Sequence, residues 1–137
     1  MQDIVGQFAG IIRAAAEDKA PLRIRSGGSK DFYGNRILGR NDRVLDACAY
    51  AGIVDYEPTE LVLTARAGTR LADLETELCK HGQMMAFEPP HFVPTATLGG
   101  CVATGLSGPR RASAGAVRDF VLGVRMLDGR GDDLHFG

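Results

Sequence analysis

Pro94-Thr95-Ala96-Thr97-Leu98-Gly99-Gly100-Cys101-Val102-Ala103-Thr104-Gly105-Leu106-Ser107-Gly108 is the stretch on which the reading of this chain turns. Two adjacent glycines let the backbone approach a neighbour closely, because no side chain stands in the way. Small residues follow, where a short helix can begin. Successive N–H groups at such a turn, with the positive end of a helix behind them, form a concavity for an anion. A phosphate-bearing ligand suits it. A lone Gly-Gly is more often a tight turn packed against its neighbour. A second glycine loop far upstream, Arg25-Ser26-Gly27-Gly28-Ser29-Lys30, shifts the balance towards a ligand.

The rest of the composition narrows the class. At 137 residues the chain is one modest domain or part of a larger one, large enough for a real core. Its 45% hydrophobic and 24% charged residues are those of an ordinary soluble protein. The 18 glycines follow no period, which excludes collagen and flexible linkers. A net charge of −1, with Arg110-Arg111 the only adjacent basic pair, argues against nucleic acid. No apolar run reaches the length of a transmembrane segment. Asp3, Gln7, Arg13 and Glu17 interrupt the apolar residues at the start, so no signal peptide is expected there. Cys48, Cys79 and Cys101 form no C-x-x-C pair and are odd in number, which favours a reducing, cytoplasmic setting over disulfides. His81, His91 and His135 are too scattered to suggest a metal site.

Read from its start, the chain places Ile4, Val5, Phe8, Ile11, Ile12 and Ala15 at helical spacing, and Pro21 ends that helix. Leu22–Arg25 reads as a strand running into the first glycine loop, so that loop lies at a strand's carboxyl end, where open α/β sheets hold ligands. It is not a P-loop, because Ser29 precedes Lys30, nor a Rossmann fingerprint opening a helix, although Asp46 stands where a ribose-binding acid would. Residues 43–46 suggest a second strand, and 53–57 with 61–65 a hairpin. Thr69 is expected to cap a helix that buries Leu71, Leu74 and Leu78 and stops at His81-Gly82. Met84–Phe87 resembles a brief strand. Residues 120–127 read as the strongest strand of all, turning through Asp128-Gly129-Arg130-Gly131 into a return strand at 132–136.

The order of these signals carries a resemblance. R-S-G-G-S after a strand, A-R-A-G-T after a hairpin, then P-T-A-T-L-G-G, G-L-S-G-P-R-R and D-F-V-L-G-V-R-M-L-D-G resemble the FAD-binding (PCMH-type) domain of vanillyl-alcohol-oxidase-like flavoproteins. Within that superfamily, Gly105–Arg111 is most similar to the FAD-binding subunits of bacterial glycolate oxidases. The resemblance implies an α/β (α+β) fold of two subdomains with FAD between them, residues 1–66 forming the first and 67–137 the start of a second. The return strand ends as the chain does, so the fold reads as incomplete at its C-terminus.

The resemblance also implies which residues hold FAD. They are Arg25, Ser26, Gly27, Gly28 and Ser29 in the first loop, and Pro94, Thr95, Thr97, Leu98, Gly99 and Gly100 in the second. Gly105, Ser107 and Gly108 would continue the wall beside the ribityl chain or the isoalloxazine. Relatives with covalently bound flavin carry a histidine where Ser29 stands; serine cannot make that bond, so non-covalent FAD is expected.

Other residues are weighed on their own chemistry. Arg25 either braces the diphosphate or ends its strand in solvent. Lys30 reads as surface charge, Arg110 and Arg111 as a solvated pair sooner than flavin or substrate ligands, and Cys101 as a small buried thiol. No catalytic constellation stands out, and catalytic residues stay unassigned.

The function implied is that of the FAD-binding subunit or domain of a flavin-dependent 2-hydroxy-acid oxidoreductase. It would act on a small 2-hydroxy acid beside a catalytic flavoprotein subunit and an iron–sulfur subunit. The setting would be cytoplasmic, or peripheral at the inner membrane through those partners. Two alternatives stay open: a non-catalytic FAD-binding or interaction subunit, and a nicotinamide-dinucleotide-binding domain.

Overall fold

A computed structural model describes residues 3–35 and 43–137. In chain order the elements are helix α1 (Ile4–Glu17), strands β1 (Leu22–Arg25) and β2 (Arg43–Asp46), a 3-10 turn at Ala47–Ala49, and strands β3 (Ile53–Glu57) and β4 (Val62–Ala65). Helices α2 (Leu71–Cys79), α3 (Leu98–Thr104), α4 (Arg111–Ala114) and α5 (Val117–Phe120) follow, then strands β5 (Val124–Leu127) and β6 (Asp133–Phe136). Helix and sheet are mixed, as expected.

The chain divides into two compact units. One comprises the described parts of Met1–Arg25 and Asn35–Asp46, with Val121–Gly137; the other comprises Ser26–Gly34 and Ala47–Phe120.

In the first unit, the Asp3 carboxylate accepts from the Gly6 amide at 2.8 Å and caps α1. Ala9 and Ala15 are the residues that α1 buries fully, and Leu45 of β2 joins them. β1 and β2 run parallel, Leu22 opposite Arg43 and Arg25 opposite Asp46. β5 and β6 form the antiparallel hairpin read from the Asp-Gly turn, with Val124 opposite Phe136. The strand expected over 120–127 begins only at Val124, since Phe120 ends α5 and residues 121–123 belong to no element. The Asp119 carboxylate accepts from the Ala116 amide at 2.8 Å, and this local cap outweighs the apolar run that follows.

The second unit is built on α2. Leu71, Leu74 and Leu78 are buried at the expected spacing, with Phe87, Ala96, Cys101, Ala116 and Val117 around the same core. The antiparallel hairpin β3–β4 is tied to the end of α2, because Tyr56 donates to Gln83 at 2.7 Å and Gln83 donates to the Pro58 carbonyl at 2.8 Å. Thr69 is not the cap of α2. Arg70 holds that position, and the Thr69 hydroxyl instead donates to the Arg66 carbonyl at 2.7 Å and accepts from the Gly52 amide at 2.8 Å. Met84–Phe87 forms no strand; the Glu88 amide turns back to the Met85 carbonyl, and Phe87 packs on Phe120 with ring centres 5.3 Å apart.

Candidate dinucleotide cradle

The two glycine loops, 68 residues apart in sequence at Gly27 and Thr95, are joined in space within the second unit. The Thr95 hydroxyl donates to the Gly27 carbonyl at 2.7 Å, and the Ser26 and Thr97 hydroxyls share a hydrogen bond of 2.6 Å. A Cβ added to Gly27 would overlap the Thr95 carbonyl, so only glycine allows this approach. Gly28 follows at φ +67°, in the left-handed region that glycine occupies without strain. Among the described residues, the amides of Gly27, Gly28 and Ser29 have no hydrogen-bond partner, while Ser29 itself is buried. Three consecutive donors without acceptors, on a turn that includes a left-handed residue, form a concavity of a kind that suits an anion.

The second loop departs from expectation in one respect. Its first amides are already committed: Leu98 donates to the Thr69 carbonyl at 2.9 Å, and Gly99 to the Ala67 carbonyl at 2.8 Å. A Cβ on Gly99 would press on Ala67, so this glycine serves close packing against the segment after β4. An isolated bridge between Arg70 and Thr97 extends the same attachment. Thr97 caps α3, its hydroxyl accepting from the Gly100 amide at 3.3 Å. Gly100 differs from Gly99. A Cβ there would meet nothing closer than the Thr97 hydroxyl at 3.4 Å, with the Ser26 hydroxyl and the Lys30 ammonium each at 3.9 Å.

The remaining predicted residues are more dispersed. Pro94 is exposed at the loop's entrance. Gly105 ends α3 in the left-handed region at φ +63°. Ser107 accepts from the Val117 amide at 3.0 Å, and Gly108 donates to the Phe87 carbonyl at 2.9 Å; these bonds run to the core. Arg25 ends β1 in the first unit with its side chain exposed. Arg110 and Arg111 are both exposed, and Arg110 forms an ion pair with Glu88 at 2.7 Å. Cys101 is 1% exposed; burial pushes its thiol up, and the charge of Lys30 opposes that rise.

A cleft of about 780 Å³ opens beside the paired loops, lined by Ser26, Gly27, Thr95 and Thr97 on one side. Cys48, Gly52, Thr69 and Arg70 are on its other walls, with the Asp73 and Glu77 carboxylates of α2, and the sequence reading placed none of these at a ligand site. They are supplied by the turn before β3 and by the segment from β4 into α2, which no local pattern marks as lining. The cradle itself fits a dinucleotide's diphosphate by the chemistry of its donors. Between residues 25 and 30 and between 94 and 108 there are amides, hydroxyls and cations but no carboxylate. An anion meets no fixed negative side chain on either loop.

Comparison with known proteins agrees with this chemistry. Residues 5–137 match the profile of the FAD binding domain. The chain is 50% identical over 126 residues to the glycolate oxidase subunit GlcE of Escherichia coli, covering 92% of this chain and 35% of that protein. It is 28% identical to the D-lactate dehydrogenase of Archaeoglobus fulgidus, covering 90% of this chain and 28% of that one. The chain thus spans about a third or less of the curated relatives it matches. Among solved structures, a grass pollen allergen with glucose dehydrogenase activity, Phl p 4, superposes over 96% of this chain and 27% of its own with a TM-score of 0.79 at 20% identity. The 6-hydroxy-D-nicotine oxidase of Arthrobacter nicotinovorans does so over 96% and 28%, with a TM-score of 0.72 at 21% identity. These two likenesses are of fold.

Proposed function

As the chain belongs to the FAD binding domain family, we propose that it forms the FAD-holding part of a flavin-dependent 2-hydroxy-acid oxidoreductase of the glycolate oxidase kind. The observation that carries this reading is the joining of the two glycine loops through Thr95 and Gly27, beside amides of Gly27, Gly28 and Ser29 that have no acceptor among the described residues. Those three amides, the Ser26 hydroxyl and the open face at Gly100 would hold the diphosphate of FAD. FAD bound there supplies a two-electron acceptor for the hydride equivalent of a hydroxy acid. The chain's own part is to bind and orient the cofactor. Ser29 offers no ring nitrogen for a flavin bond, so the cofactor is held without a covalent link.

The 50% identity to a named subunit supports the substrate class and a multi-subunit setting. In that setting a catalytic flavoprotein subunit and an iron–sulfur subunit complete the electron path, in the cytoplasm or at the inner membrane through those partners. The alternative of a nicotinamide-dinucleotide-binding domain, raised by Asp46, has no support in the family match.

The test is the visible spectrum of the purified chain after incubation with FAD and desalting, repeated after acid precipitation. Flavin bands that survive desalting and pass into the acid supernatant are expected. Flavin retained in the pellet would overturn the non-covalent assignment, and a chain that leaves the column colourless would overturn FAD binding by this chain.

A further inference from the structure

Lys30 is the one cation on the first glycine loop, since Arg25 belongs to β1, and its position departs from that of a solvated surface lysine. Its side chain is half-buried. Its ammonium is 3.9 Å from the point where a Cβ on Gly100 would stand, as is the Ser26 hydroxyl. Its charge reaches far enough into the second loop to act on the buried Cys101 thiol. Among the described residues its ammonium has neither a carboxylate partner nor a hydrogen bond to protein, although its carbonyl accepts from the Tyr33 amide at 2.9 Å. A lysine drawn over a neighbouring loop gives up hydration and rotamer freedom, and an acceptor normally offsets that cost. Among the described residues no group supplies one. The amides of Gly27 to Ser29, which among the described residues have no acceptor, directly precede Lys30 in the same loop.

We propose that Lys30 is a diphosphate ligand of this chain, its ammonium supplying the counter-charge that the glycine amides lack. This rests on the FAD reading above and adds a specific claim to it. Amides orient a diphosphate but contribute no net charge, whereas a half-buried ammonium makes affinity depend on charge and on salt. The lysine, as a compact point charge on a flexible stem, can follow the phosphates without a fixed fork geometry. It would hold the part of the cofactor common to FAD and ADP, and leave the isoalloxazine untouched.

The experiment compares the full chain with its Lys30→Gln and Lys30→Arg variants, using FAD and ADP as probes in calorimetric titrations at low and high salt. Far-UV circular dichroism and melting confirm that each variant folds. Loss of about tenfold in affinity for both probes is expected in K30Q, with recovery of most of it in K30R and a weaker salt dependence in K30Q than in the parent. Unchanged affinity in K30Q would overturn the role of Lys30 and leave FAD binding standing. Equal weakening in K30R and K30Q would also overturn it, because charge would then not be the operative property. A parent chain that binds neither probe would overturn the FAD reading and this inference with it.

Discussion

The Thr95 hydroxyl donates to the Gly27 carbonyl at 2.7 Å, while the Thr95 carbonyl occupies the place a Gly27 side chain would need. The two residues therefore fix each other's backbone from both directions. Gly27→Ala should force the loops apart, because the obstructing atom is backbone and cannot rotate away. A loss of about 2 kcal/mol in stability, the usual size of an overpacking effect, is expected in urea unfolding. FAD retention after desalting should fall with it.

Thr95→Val removes the same link without adding bulk. The Gly27 carbonyl loses its donor but can turn to water, since Thr95 is exposed. A cost of about 1 kcal/mol is expected, smaller than for Gly27→Ala, and the ranking of the two urea midpoints checks it.

Leu74 is 1% exposed at the centre of α2, between Leu71 and Leu78. Leu74→Ala should leave a cavity that the close-packed core cannot fill, at a cost of about 3 kcal/mol. A drop in melting temperature larger than that of any surface alanine on α2, such as Glu75→Ala, is the expected result.

Ser107 was expected beside the flavin, and its hydroxyl accepts from the Val117 amide at 3.0 Å. Val117 is only 4% exposed, so water has little access to that amide. Ser107→Ala should therefore cost about 1 to 2 kcal/mol in stability whether or not FAD is present, measured as melting of the chain with and without the cofactor.

The Asp128 carboxylate is held below its ordinary range, first by the amide of Asp132 at 3.0 Å and then by that of Arg130 at 2.8 Å. A lowered value in the folded state means that its contribution is complete above the ordinary carboxylate range and is lost as pH falls through the folded value. Melting temperature should thus decline between about pH 5 and pH 2 in the parent, and decline less in Asp128→Asn over the same window. An identical decline in both would show that this turn does not respond to acid.

How legible the molecule was depends on the range of the interactions involved. Ile4, Phe8 and Ile12 announce α1, and Leu71, Leu74 and Leu78 announce α2, because helical periodicity is written in adjacent turns. The Asp128-Gly129 turn announces its hairpin for the same local reason. That the two glycine loops would serve one ligand was implied only by family resemblance, and the Gly27–Thr95 link itself was not foreseen, since nothing local connects residues so far apart. Thr69 misled as a cap because Gly52, brought in by the β3–β4 hairpin, competes for its hydroxyl. Leu98 and Gly99 read as free donors, yet carbonyls from Thr69 and Ala67 reach them across the fold. Lys30 reads as surface charge until Gly100 is seen beside it.

The division of the chain into two units bears on its synthesis. The polypeptide passes from one unit to the other after Arg25, before Asn35, after Asp46 and before Val121, so the first unit draws on both ends of the sequence. A ribosome delivers every residue of the second unit before β5 and β6, and the second unit can close on its own contacts while the first still waits. The first unit's parallel pair and α1 are therefore left as an unfinished surface during translation, open to chaperones or to another nascent copy.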